Sequence, residues 1–373
     1  MQLRSSVSPR ETTRPAALVA SNAALASGAA ASITPSALAP ALYQNIQQGF
    51  VQDYLTPHEI YQRCQSLAQR YPHLVEVVER DYRTHGYDGE RPDLRGEAPL
   101  YHLRLGPRDA NRDHKLGVFQ FAAPHAREWV NPMIMVELAE QLAANYDPQS
   151  SDPGVQALTG MMQQLDIHLA PMTNPDGTNY SMFDEKMWRK TRVPAPEGQF
   201  GVDINRNFPV NWQPGDPGSL TYPGASPSSE VETRSLIEVV DRYPNIRFVC
   251  DWHSYAEEIR RPWGVSQADQ GIYEQMHSRM GEAMAGVRGR NYDEVVSEVV
   301  EGTSDDYFYH ERKTFSTIVE TGRAFQPTRA EALKVMQEGV AGARELLRYA
   351  QDFQAQNGLA QASPPATIPP FTS

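Results

Sequence analysis

Cysteine is nearly absent: Cys64 and Cys250 are the only two among 373 residues. Cys250 also sits in an apolar run, so a disulfide framework is excluded and the redox compartment stays open. Positive charge is in deficit as well. With 34 Lys and Arg against 46 Asp and Glu, the net charge is −12 and the pI about 5.3. No basic stripe offsets this, so no nucleic-acid partner is expected. No uninterrupted apolar run reaches the roughly 20 residues of a membrane-crossing helix, so no membrane span is expected. What remains, 40% hydrophobic and 21% charged, suits one large α/β domain with a substantial core.

The two ends differ from the middle. Residues 1–49 are rich in Ala, Ser and Pro, with Arg4, Arg10 and Arg14 ahead of the Ala-rich run. That order of parts is signal-like, but Ser21, Asn22, Ser27 and Gly28 interrupt the apolar centre. The expectation is a disordered tail carrying at most a weak signal, which leaves cytoplasmic and secreted locations both open. Residues 353–373 are expected to form a second disordered tail. A single globular domain then occupies residues 50–352.

Within it, Thr56-Pro57-His58-Glu59 has the pattern of a capping box and opens a helix. Leu74 to Arg80 and Pro99 to Gly106 have the character of strands. Leu116 to Ala123, apolar except for Gln120, is expected to be a strand buried on both faces. Asn131 and Pro132 are expected to cap a long helix. Strands follow at Leu165 to Ala170, Ile246 to Trp252 and Phe315 to Glu320. Asn174-Pro175-Asp176-Gly177 reads as a structural turn. Thr328 and Glu331 suggest a capping box for the last helix.

Chemistry enters at Ala123-Pro124-His125-Ala126-Arg127-Glu128-Trp129. If a helix begins here, His125 and Glu128 are neighbours on one face and can share a metal ion. A hydrolytic site also needs a third protein ligand, and His253 stands at the end of an apolar strand. A lone H-x-x-E is otherwise an ordinary surface pair. Glu320 ends another apolar run, where a charge is costly unless paired or working.

Taken together, His125, Glu128, Arg189, Asn205, Arg206, His253, Tyr255 and Glu320 resemble the zinc metallocarboxypeptidases of the pancreatic A and B type. The resemblance runs from about Tyr54 to Tyr349. It rests on His-Ala-Arg-Glu-Trp, Asn-Pro-Asp-Gly, Trp-Arg-Lys-Thr-Arg, Val-Asp-Ile-Asn-Arg-Asn-Phe, Ser-Glu-Val-Glu, His-Ser-Tyr and Glu-Thr-Gly-Arg, all in the family's order. It implies an α/β fold: a single domain with a mixed, mostly parallel twisted sheet flanked by helices. It further implies one zinc per chain on His125, Glu128 and His253, Glu320 as catalytic base and Arg189 as oxyanion stabiliser. Asn205 and Arg206 would grip the terminal carboxylate of peptide or protein substrates, and Arg127 and Tyr255 would line outer subsites.

Two departures stand out. The family's mobile tyrosine falls, by ungapped count back from Glu320, on Glu298. The amino-terminal part is too short and Ala-rich for the folded activation segment of the pancreatic zymogens, so no such pro-domain is expected. The same count puts Asp305, in Gly302-Thr303-Ser304-Asp305-Asp306, at the B-branch determinant for basic terminal residues. Asp305 and Asp306 could instead belong to a solvated loop or cap a helix that follows through Tyr307 and Tyr309. Alternatives that keep the zinc site are cell-wall peptides or small N-acyl amino acids as substrates, or a non-catalytic peptide-binding relative. The oligomeric state is not legible.

Overall fold

Helix α1 (Pro57–Arg70) begins as its first residues dictate. The Thr56 side chain accepts from the Glu59 amide, and the Glu59 carboxylate accepts from the Thr56 amide at 2.9 Å. The computed structural model describes residues 54–109 and 111–357. The expected amino-terminal tail and its signal-like segment lie outside these residues, as does nearly all of the carboxyl-terminal tail. The last helix runs on to Gln356.

Eight strands make one sheet: β1 (Val75–Arg83), β2 (Pro99–Leu105), β3 (Leu116–Ala122), β4 (Leu165–Ala170), β5 (Ile246–His253), β6 (Glu258–Arg261), β7 (Asp293–Val296) and β8 (Phe315–Glu320). Their order is β1-β2-β4-β3-β5-β8-β6-β7. The centre, β4-β3-β5-β8, is parallel, while β1, β2 and β6 join antiparallel. Every residue of β3 is buried, as its apolar run requires. Gln120 is tolerated there because its side chain donates to the Ala343 carbonyl and accepts from the Trp252 indole at 3.1 Å.

Helices cover both faces. On one, α2 (Asn131–Ala144), α3 (Pro153–Gln164), α6 (Gln267–Arg288) and α8 (Arg329–Gln356) form a layer. On the other, α5 (Val231–Arg242) and α7 (Ser304–His310) bury Leu236, Val240, Tyr307 and Phe308 against Phe119, Phe121 and Val249. Helix α4 (Pro175–Phe183) packs near α1.

Three local expectations change. Asn131 is not the cap of α2: Val130 is, and the Asn131 side-chain oxygen accepts instead from the Thr321 hydroxyl at 2.7 Å. Asn174 to Gly177 is the start of α4 rather than a free turn, with Asn174 accepting from the Gly177 amide. Thr328 precedes α8 without a side-chain cap bond, because the Glu331 carboxylate accepts from Arg288 at 2.7 Å and from Arg290 at 2.9 Å.

The register of β3 against β5 shifts between Gly117 and Val118. A Cβ on Gly117 would lie 2.7 Å from the Ile246 Cα and 2.8 Å from its amide nitrogen, and backbone cannot swing aside. Gly117→Ala is therefore expected to lower unfolding free energy by about 1–3 kcal/mol. Urea denaturation followed by circular dichroism measures this, and an unchanged midpoint would contradict the packing.

Candidate metal centre

The chain leaves β3 through Ala123, whose φ of 59° turns it out of the strand. His125 and Glu128 then lie on a turn, with the Glu128 amide donating to the His125 carbonyl at 3.2 Å, and not on the helix that their spacing suggested. The turn is fixed from below. Asn174 donates to the carbonyls of Pro124 and Lys190, 3.1 Å each, and the Ala126 amide donates to the Arg189 carbonyl. One buried amide thereby joins the His125 loop to the Arg189 loop, which is the structural task of the Asn-Pro-Asp-Gly run.

His253 arrives as the last residue of β5, beside β3 in the sheet. Its Nδ1 lies 3.0 Å from that of His125, and the Glu128 carboxylate lies 2.8 Å from the one and 3.2 Å from the other. All three side chains are buried. Ligand atoms of the three lie within 4.8 Å of one another, a grouping that can hold one metal ion. The far nitrogens are committed elsewhere. His125 Nε2 faces Asp203 at 3.1 Å and His253 Nε2 faces Asp251 at 2.9 Å. An N–H donating to a buried carboxylate leaves Nδ1 as the lone-pair nitrogen, the usual second layer of a zinc–histidine site.

The donor set fits a divalent cation by charge as well as by type. Three buried carboxylates, Glu128, Asp203 and Asp251, are bonded to the two imidazoles. One guanidinium, Arg189, binds Asp203 at 2.9 Å. That leaves two negative charges, which a divalent ion offsets while both imidazoles stay neutral. Protein groups alone already show the strain. Burial works against charge on Glu128, yet the two imidazoles hold its carboxyl well below the usual range. Burial likewise disfavours a charged His253, yet Asp251 and Glu128 push it well above.

Around the donors lies a cleft of about 410 Å³. It brings together every site residue expected from the sequence: Arg127, Arg189, Asn205, Arg206, Tyr255, Asp305 and Glu320 line it with His125 and Glu128, and His253 is buried beneath. Glu320 ends β8 directly opposite His253 in the register, and burial raises its carboxyl. The Asn205 side-chain oxygen accepts from the Ser304 amide at 2.8 Å, and its NH₂ lies 3.5 Å from His253 Nε2. Arg206 donates to the Asn205 carbonyl at 2.5 Å. At the rim, Tyr255 packs edge-on against Phe325, and Arg127 stacks on the same ring at 4.1 Å.

Asp305 is not on a solvated loop. It is 2% exposed, in the first turn of α7, and neither of its oxygens makes a well-formed hydrogen bond. Burial, with the charge on Asp251 adding to it, raises its carboxyl. Glu298 also lines the cleft, from the segment after β7. Sequence reasoning missed Asp203, Asp251 and Arg260. Asp251 carried a signal, because two residues before His253 on one strand put it on the same face; Arg260 carried none.

Fold and site thus define an α/β protein with a single-ion metal centre at the carboxyl edge of its sheet. Residues 60–342 match the zinc carboxypeptidase family, and the chain belongs to it. Mouse carboxypeptidase A2 is 32% identical over 248 residues, 64% of this chain and 54% of that protein. Pig carboxypeptidase A1 is 29% identical over 286 residues, 72% of this chain and 63% of that one. The chain therefore spans about half the length of the curated relatives it matches. Among solved structures, thrombin activatable fibrinolysis inhibitor aligns with a TM-score of 0.69 at 22% identity, over 82% of this chain and 77% of that chain. Carboxypeptidase A from Helicoverpa armigera gives 0.68 at 22% identity, over 81% and 75%. Both likenesses show the fold. Among the described residues, no helix is long and apolar enough to cross a membrane.

If Asp251 sets the His253 tautomer, Asp251→Asn should weaken zinc binding by about 10–100-fold. Competition against a chromogenic chelator measures it, and an unchanged affinity would show that Asp251 does not tune the ligand.

Proposed function

We propose that the chain is a zinc-dependent metallocarboxypeptidase that hydrolyses the last peptide bond of a substrate, releases one amino acid, and favours basic terminal residues. One observation carries the reading: metal donors, a buried carboxylate and carboxylate-binding groups converge in a single cleft. Held by His125, Glu128 and His253, zinc would polarise a water molecule and the scissile carbonyl. Every other step belongs to side chains.

Glu320 takes a proton from the attacking water and delivers it to the leaving amine as the C–N bond breaks. Its raised carboxyl brings it nearer the working pH of a general base. Arg189, anchored on Asp203, turns its remaining N–H groups to the carbonyl oxygen as negative charge develops there. Arg206 and the Asn205 NH₂ take the free terminal carboxylate, for which a planar guanidinium is suited. Asp305 meets the terminal side chain, since an ammonium or guanidinium partners its buried oxygens and an apolar group does not. A purely binding relative would have no use for Glu320 and Arg189 in the same cleft as intact metal donors.

Glu320→Gln keeps shape but cannot take the proton, so kcat should fall by about two orders of magnitude or more while zinc stays bound. Retained turnover would remove Glu320 as the base. Arg206→Ala should cost far more on free C-termini than on amidated ones, and equal losses would show that Arg206 is not the clamp. Release of terminal Lys and Arg should exceed that of Leu and Glu, and Asp305→Ala should remove this preference for basic residues. An Arg preference that survives Asp305→Ala would take Asp305 out of the pocket.

A further inference from the structure

Arg260 is a cleft residue to which the reaction above gives no task. It lies on β6 opposite Ile318 of β8, while Glu258 lies opposite Glu320. The antiparallel register therefore puts Arg260 on the same face as Glu258, one step deeper in the sheet than the base. Arg260, Ile318, Asp305 and Glu320 all line the cleft. The guanidinium is steadied rather than neutralised: Nη2 donates to Glu258 at 2.6 Å, the buried Nε has no partner, and the side chain is 37% exposed. The other three cleft arginines are engaged, Arg189 by Asp203, Arg127 by Phe325, and Arg206 by Asn205. Asp305 lines the same cleft, almost wholly buried and without a well-formed hydrogen bond.

A pocket wall whose cation keeps N–H groups beyond its single bond to Glu258, and whose anion has no well-formed hydrogen bond, selects by sign. A terminal Lys satisfies Asp305 but brings its charge beside Arg260. A terminal Glu satisfies Arg260 but faces Asp305, and a terminal Leu leaves Asp305 buried and unpaired. Only a side chain that ends in both signs pairs with both walls. We propose that the cleft reads a terminal residue whose side chain ends in an ammonium and a carboxylate, as a diaminodicarboxylic acid does, with Asp305 meeting the first and Arg260 the second. The carboxylate suits a guanidinium, which can donate two parallel N–H bonds. This rests on the carboxypeptidase reading and narrows its substrate to side chains that carry a second charge beside the ammonium.

The test uses the zinc-loaded full chain and five peptides that differ only in the last residue: Lys, Arg, Glu, Leu or meso-2,6-diaminopimelate joined through one α-amine. The diaminopimelate peptide is expected to show a kcat/KM about 10-fold or more above the Lys peptide. Arg260→Leu should reverse that ratio, and Arg260→Lys should keep part of it. Asp305→Ala should shift preference toward Glu. Calorimetric binding of free diaminopimelate, Lys and Glu should give the same ranking without turnover. A parent enzyme that releases Lys faster than diaminopimelate, or a ratio that Arg260→Leu leaves unchanged, would overturn the proposal. Failure to cleave any peptide while the binding ranking holds would overturn the carboxypeptidase reading and leave the pocket assignment standing. Failure of both would overturn both.

Discussion

The structure depends on a local excess of buried negative charge. Glu128, Asp203 and Asp251 are almost fully removed from water and are bonded to two imidazoles, with Arg189 as the one guanidinium bonded to any of them. Such a group is expensive to assemble unless a cation completes it, because each uncompensated buried charge costs several kcal/mol. A divalent ion removes the excess and lets both histidines remain neutral ligands. The same requirement ties together distant parts of the chain. The ion's donors come from the loop after β3 and the end of β5, and their supports come from the Asp203 loop and from β5 itself.

The sheet topology makes that convergence possible. From β3 the chain reaches β4 on one side, and it later returns as β5 on the other. At the carboxyl end of β3 the connections therefore diverge and open a crevice, where α/β sheets characteristically bind ligands. His125 leaves β3 into this crevice, His253 ends β5 beside it, and Glu320 ends β8 one strand further on. His253 and Glu320 are set by paired parallel strand ends, so their spacing is inherited from a hydrogen-bonded register, while His125 and Glu128 are held beside them by the turn that Asn174 fixes.

How much of this was legible follows from where each signal is local. The buried strands announced themselves as apolar runs, and the capping box of α1 is complete within four residues. The metal donors were found because H-x-x-E is local and because a histidine ending an apolar strand is unusual. Local pattern misleads where a distant partner claims a side chain. Asn131 looks like a cap until Thr321 is brought against it, and Glu331 looks like half of a box until Arg288 and Arg290 reach it. Likewise His125 and Glu128 meet across a turn, since Asn174, some fifty residues away, holds that loop. Arg260 was invisible for a similar reason. Its four-residue strand has no apolar alternation, and only pairing with β8 shows which way its face points.

Selection and chemistry are carried by different kinds of element, and this has a physical consequence. His253 and Glu320 stand on parallel central strands, and Glu128, His125, Asp203 and Arg189 are joined to His253 by a chain of hydrogen bonds. Asp305 belongs to the first turn of the short helix α7, and Arg260 to β6, which joins β8 antiparallel outside the parallel centre. Helix α7 packs on β5 and β8 with Tyr307 and Phe308, so its first turn is positioned by apolar contact and not by the metal. A change at Asp305 or Arg260 therefore alters the charge that meets the terminal side chain without moving a strand end. A pocket built in this way can acquire a second charge while the distances among His125, Glu128, His253 and Glu320 stay as the sheet sets them.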